Sequence, residues 1–116
     1  MKKSTRQWVR KAEDDYQLAV QIAQGDKPHY DQRCFLCQQS AEKFLKALLE
    51  EIAVSIPKTH VLDDLHNLLV SHFPELHGFR RGLIYLSDFA VAVRYPGRNA
   101  SNGRFAMGRS SACRVQ

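Results

Sequence analysis

The most regular pattern of hydrophobic and polar positions lies in residues 34–49, which contain no Gly, Pro or β-branched residue. Side chains there recur at steps of three and four, as on one face of an α-helix. The stripe consists of Cys34 or Phe35, Gln38, Ala41, Leu45, Leu48 and Ile52. Gln38, Gln39 and Ser40 stand where a core helix usually carries Leu or Ala. We therefore expect this helix to present one face to a core and another to a wet or protein-covered groove.

Similar periodicity predicts four helices in all, and no segment has the alternation of a strand. Their approximate bounds are residues 4–24, 31–53, 59–72 and 79–95. Ser4 or Thr5, Asp31 and Thr59 have side chains suited to N-cap the first three helices. Short loops between these helices favour an all-α fold, an antiparallel up-and-down helical bundle.

Length and composition place the chain among single-domain globular proteins. It has 116 residues, of which 44% are hydrophobic and 25% charged. No apolar run approaches the roughly 20 residues that span a bilayer, so we expect no membrane association. The basic N-terminus is followed by a charged helix and not by an apolar signal region, which favours a cytoplasmic location.

The positive charge is concentrated at the two ends of the chain. The formal net charge is +5, and residues 98–116 contain four Arg and no acidic residue. Residues 1–97 are therefore close to neutral, although Lys2, Lys3, Arg6, Arg10 and Lys11 form a second basic run. Such a run is more often a solvated face than a nucleic-acid site. We predict a bundle over residues 1–97 and a loosely ordered, basic, Gly/Ser-rich tail over 98–116.

The cysteine and histidine spacings do not predict a metal site. Cys34 and Cys37 form a C-x-x-C in the middle of a helix, without the second pair that zinc would need. His66, His72 and His77 are six and five residues apart, whereas two ligands on one helical face are four apart. We expect neither a metal nor a cofactor.

Four motifs in order resemble the HEPN domain (higher eukaryotes and prokaryotes nucleotide-binding). They are residues 8–15 (WVRKAEDD), residues 34–49 with QQSAEK at their centre, Thr59-His60, and residues 93–97 (VRYPG). The resemblance implies a bundle of four or five helices that is commonly dimeric. It also implies a two-gene toxin–antitoxin or defence system, with a nucleotidyltransferase as the partner protein. Many members of the family are metal-independent ribonucleases.

The chain departs from the family in two places. The family's ribonuclease signature is an Arg followed four to six residues later by His, and no Arg here has a His at that spacing. The last amphipathic helix of the family is replaced by the Gly/Ser/Arg tail, which would leave apolar surface on the first two helices for a second chain. The enzyme assignment therefore stays open.

Arg94, Tyr95 and His60 are the candidate catalytic residues. Arg94 can bind phosphate, and Tyr95 can donate to it or stack on a base. His60 can act as a general base at the start of the third helix. The alternative is structural: Arg94 and Tyr95 cap and pack the end of the fourth helix, and His60 binds backbone.

Gln39 and Lys43 share a helical face and, with Arg94 and Tyr95, are candidates for binding a nucleotide or phosphate. The alternative is that Glu42, Lys43 and Lys46 form a simple solvated face. Three functions follow: a HEPN-type nucleotide- or RNA-associated module with a nucleotidyltransferase partner, a metal-independent ribonuclease, or a non-catalytic helical interaction domain.

Overall fold

A computed structural model describes the backbone of residues 1–92 and the side chains of residues 1–88. Its elements are α1 (Lys3–Ala23), α2 (Tyr30–Glu51), α3 (Leu62–Leu69), a 3₁₀ helix (Pro74–Phe79) and α4 (Arg80–Ala92). The predicted all-α bundle is confirmed. The predicted tail, residues 98–116, lies outside the described residues.

Small side chains form the interface between α1 and α2. Ala12 and Ala19 of α1 are completely buried, as Ala47 of α2 nearly is. The helices approach closely enough for the Ser40 hydroxyl to donate to the Ala12 carbonyl oxygen at 2.8 Å. The start of α1 lies against the end of α2, where Ser4 donates to Glu50 at 2.7 Å, so the two helices are antiparallel.

Leucine side chains form the core on the other side of α2. The buried cluster consists of Leu45 and Leu49 of α2, Leu62, Leu65 and Leu69 of α3, and Leu83 of α4. The Ser87 hydroxyl of α4 accepts a hydrogen bond from the Leu62 backbone N–H at 3.0 Å, which ties the start of α3 to α4. The described part of the fold is therefore α2 packed between α1 and the pair formed by α3 and α4.

The predicted helix starts need correction. Helix α1 begins at Lys3, and Thr5 uses its hydroxyl to donate to Glu51 at 2.9 Å, so neither Ser4 nor Thr5 is the N-cap. The residue before α2 is His29, in the left-handed region with φ 43°, and Asp31 lies within the first turn. Thr59 accepts from the Val61 N–H at 3.1 Å, which forms a turn before α3 and not its N-cap. For Ser4, Thr5 and Thr59 a tertiary or turn contact competes with the expected cap.

The polar positions of α2 were expected to face a wet or protein-covered groove, and the wet alternative is wrong for two of the three, which other parts of the bundle cover. Gln38 is 0% exposed and Ser40 is 4% exposed. Because buried polar groups need hydrogen-bond partners, both side chains are bonded within the bundle. Only Gln39 is half-exposed.

None of the helices in the described part of the chain has the length and apolar character needed to cross a membrane.

Candidate functional site

A row of polar side chains runs along α2 at steps of four and meets the loop before α3. We call Gln38, Glu42 and Lys46, together with His60 from that loop, the polar seam. The Lys46 ammonium donates to Glu42 Oε2 at 3.0 Å. Gln38 Nε2 donates to Glu42 Oε1 at 3.3 Å and to the His60 carbonyl oxygen at 3.1 Å. The seam therefore joins a buried carboxylate to one cation, one amide and one imidazole.

Glu42 is held in its ionised form although its side chain is only 5% exposed. Burial alone raises the pKa of this carboxyl, because a charge is less stable away from water. Hydrogen bonds from Lys46, His60 and Gln38, together with the positive charge of Lys46, outweigh burial and leave the pKa below its ordinary value. At neutral pH Glu42 is consequently a carboxylate that only accepts hydrogen bonds.

His60 lies at the solvent end of the seam. Its Nδ1 is 3.1 Å from Glu42 Oε1, and its side chain is 69% exposed. Because the ionised Glu42 can only accept, the proton of a neutral His60 ring belongs on Nδ1. The Nε2 atom then carries the lone pair. A histidine oriented in this way by a carboxylate can accept a proton from a substrate.

At the other end of the seam, Lys46 reaches the side chain of Trp8 in α1. The Lys46 Nζ atom lies 5.8 Å from the centroid of the indole ring, within the range of a cation–π contact. Lys46 is only 8% exposed. The seam thus links His60, on the surface, to an aromatic side chain of the neighbouring helix.

The family model for the HEPN domain matches residues 5–112 of this chain. The chain belongs to the HEPN family. Searches of the curated proteins and of the solved structures found no match. The matched range includes most of residues 98–116, and the boundary that we placed after residue 97 stays a prediction.

Membership places this HEPN chain among nucleotide- or RNA-associated modules, which generally act as dimers or with partner proteins. In the HEPN chain the candidate His60 precedes α3 by two residues, and its ring binds Glu42. Its backbone carbonyl oxygen accepts a hydrogen bond from Gln38 Nε2, which also fixes the loop against α2. The catalytic role of His60 stays a prediction.

The two other described candidates of this HEPN domain already have partners. Gln39 Nε2 donates to Gln38 Oε1 at 2.9 Å. The Lys43 ammonium forms an ion pair with Asp15 of α1, with a distance of 2.5 Å between nitrogen and oxygen. A phosphate would therefore have to compete with Asp15 for Lys43.

Arg94 and Tyr95 lie outside the described residues. Their roles stay predictions.

Sequence reasoning missed the roles of Glu42, Lys46 and Trp8. The alternative of a solvated face formed by Glu42, Lys43 and Lys46 is wrong for Glu42 and Lys46, which are buried. The spacing of four between Gln38, Glu42 and Lys46 was the available signal, because residues at that spacing are neighbours on a helix. The sequence could not show that α1 and the His60 loop cover this face.

Within residues 1–92, no group of three or more His, Cys, Asp or Glu side chains is arranged to hold a metal ion.

Proposed function

We propose that this chain is the HEPN half of a two-gene toxin–antitoxin or defence system. It acts in the cytoplasm as a homodimer, together with a minimal nucleotidyltransferase, on a nucleotide or RNA. Family membership supports the general class, and the polar seam supports a site on the middle of α2 that serves more than packing. A carboxyl whose pKa is shifted by burial and by specific partners, beside an exposed histidine, is a candidate functional group.

Surfaces available for a second chain are present on the described helices. Phe79 is 62% exposed, and Ile84 and Tyr85 of α4 are 39% and 41% exposed. Leu18 of α1 is 47% exposed. Large apolar side chains at the surface are typical of protein–protein contacts when they are contiguous.

Purification of the chain, alone and with the nucleotidyltransferase encoded beside it, tests the partner and the dimer together. Light scattering of the chain alone should give about twice its mass of 13.3 kDa. The two proteins should copurify at micromolar concentration. A monomeric chain would refute the homodimer, and no complex at that concentration would refute the partner assignment.

A second function, a metal-independent ribonuclease, is favoured by the orientation of His60. The Nε2 atom of neutral His60 would take the proton of a ribose 2′-hydroxyl. The 2′-oxygen would then attack the adjacent phosphorus, and the bond to the 5′-oxygen would break. A cyclic 2′,3′-phosphate would form, and the leaving 5′-oxygen would take a proton from Tyr95, while Arg94 would stabilise the charge on the phosphate.

RNA cleavage in the presence of a chelator tests this second function. We expect His60→Gln to lower the rate by about 10²–10⁴-fold, the usual contribution of a general base. His72→Gln, which changes another exposed histidine, should leave the rate unchanged. Arg94→Ala should also remove cleavage. Equal rates for the His60→Gln variant and the unaltered protein would exclude His60 as the general base. A complete lack of cleavage by the unaltered protein would refute the ribonuclease function, and the nucleotide- or RNA-associated module would remain the proposed function.

A further inference from the structure

An open cavity lies over the first half of α1, at the end of α2. Its volume is about 650 Å³. We call it the Trp8 groove, after its aromatic member. Its lining includes Trp8, Arg10, Lys11 and Asp14 of α1 and Glu50 of α2. This volume is in the range of cavities that hold a small organic ligand.

The Trp8 ring is half-buried and fixed from one side. Lys46 lies over one face of the indole, and its ammonium is held in turn by Glu42. Trp8 also lines the cavity, so a flat ligand there would stack on the face of the ring that Lys46 does not cover. A ring held in place in this way loses little conformational entropy when a flat group stacks on it.

Cationic side chains border the groove. Arg10 and Lys11 are exposed, and neither has an ion-pair or hydrogen-bond partner among the described side chains. Residues 1–12 contain five Lys or Arg and no acidic residue. Two carboxylates, Asp14 and Glu50, also line the groove, and Glu50 accepts a hydrogen bond from the Ser4 hydroxyl.

We propose that the Trp8 groove binds a nucleotide, with its base stacked on the free face of Trp8 and its phosphate on Arg10 and Lys11. Aromatic stacking combined with a nearby cation is how proteins hold single nucleotides without reading their sequence. The inference rests on the proposed nucleotide- or RNA-associated function and assigns that function a surface. It depends on neither His60 nor a partner protein.

Fluorescence of the full chain tests the groove, because Trp8 is the only tryptophan. Adenosine 5′-monophosphate should quench its emission in a saturable manner. N-acetyltryptophanamide at the same nucleotide concentrations corrects for absorption and collisional quenching. Inorganic phosphate alone should leave the emission unchanged, because it cannot stack.

Variants locate the phosphate and the base. The double variant Arg10→Gln, Lys11→Gln should weaken binding of the nucleotide by about fivefold or more at low salt, and the difference should shrink at high salt. Lys27→Gln removes the same kind of charge in the loop after α1 and should bind as the unaltered protein does. Calorimetry on Trp8→Phe, which keeps an aromatic ring, should show weaker binding, since stacking on the smaller ring is poorer.

Three results would overturn the proposal: no saturable quenching at millimolar nucleotide, equal quenching by inorganic phosphate, or equal weakening by Lys27→Gln. Circular dichroism of each variant separates loss of binding from loss of fold. If the nucleotide-binding assays fail while partner binding or RNA cleavage is intact, only the proposed nucleotide site in the Trp8 groove is rejected. If the partner-binding and RNA-cleavage assays fail while nucleotide still quenches Trp8, the proposed two-gene system is rejected and the nucleotide site in the Trp8 groove is retained.

Discussion

The two sides of α2 contact their neighbours through different kinds of side chain. On the side of α3 and α4, leucines fill the interface, and Leu49, Leu62, Leu65 and Leu69 are 0% exposed. On the side of α1 and the His60 loop, small residues alternate with polar ones that are bonded across the interface. The leucine side relies on removal of apolar surface from water, which needs no particular direction. The polar side relies on hydrogen bonds that fix each side chain in one position.

This difference separates stability from positioning. Buried polar networks add little net stability, but they are costly when only one partner is removed. We therefore expect the leucine side to carry most of the free energy of unfolding. The polar seam should instead use the buried Glu42 to hold His60 and Trp8 where a ligand could meet them.

The largest effect is expected on the leucine side. Leu65→Ala should lower the free energy of unfolding by about 2–5 kcal/mol, because it removes buried methyl groups and leaves a cavity. Leu68→Ala on the same helix is the matched control, since Leu68 is 41% exposed and should cost less than half as much. Urea titration at neutral pH measures both. Equal losses in the two variants would contradict the assignment of the core to this side.

The leucine side was the part of the fold that the sequence could predict. Helical spacing predicts an apolar stripe in α3 of Val61 or Leu62, Leu65, Leu68, Leu69 and His72. The structure buries Leu62, Leu65 and Leu69, whereas Leu68 and His72 are exposed. The polar side could not be predicted in the same way, because the burial of Glu42 depends on which loop covers it. His60 was singled out as a candidate, but its partner lies 18 residues away and no local pattern joins the two.

A smaller effect is expected from Glu42→Gln on the polar side. The change leaves the buried Lys46 ammonium and the His60 ring without a charged acceptor, which should cost about 1–3 kcal/mol at neutral pH. Glu75→Gln is a suitable control, because Glu75 is exposed in the 3₁₀ helix. A loss no greater than that of the control would show that the seam is not a cooperative network.

The pH dependence of this variant follows from the lowered pKa of Glu42. A carboxyl whose pKa is lower in the folded chain than in the unfolded chain stabilises the fold above its unfolded pKa, near 4.3. That stabilisation disappears as the pH falls through the lower, folded pKa. The difference in unfolding free energy between the unaltered protein and Glu42→Gln should therefore be constant above about pH 5.5 and decrease below about pH 4.3. A difference that grows on acidification would contradict the direction of the shift.

The smallest effect is expected from the ion pair between Lys43 and Asp15, which crosses the same interface nearer the surface. Their side chains are 23% and 21% exposed, so solvent screens the attraction and the pair should contribute only about 0.2–1 kcal/mol. A double-mutant cycle with Lys43→Gln and Asp15→Asn measures the coupling free of other losses. Lys58→Gln, which changes an exposed lysine in the loop before α3, is the control.

Because the pair between Lys43 and Asp15 is weak, a phosphate could displace Asp15 at low cost, which keeps Lys43 a candidate for phosphate binding. A coupling well above 1 kcal/mol that does not respond to salt would instead make Lys43 a structural residue of the α1–α2 interface.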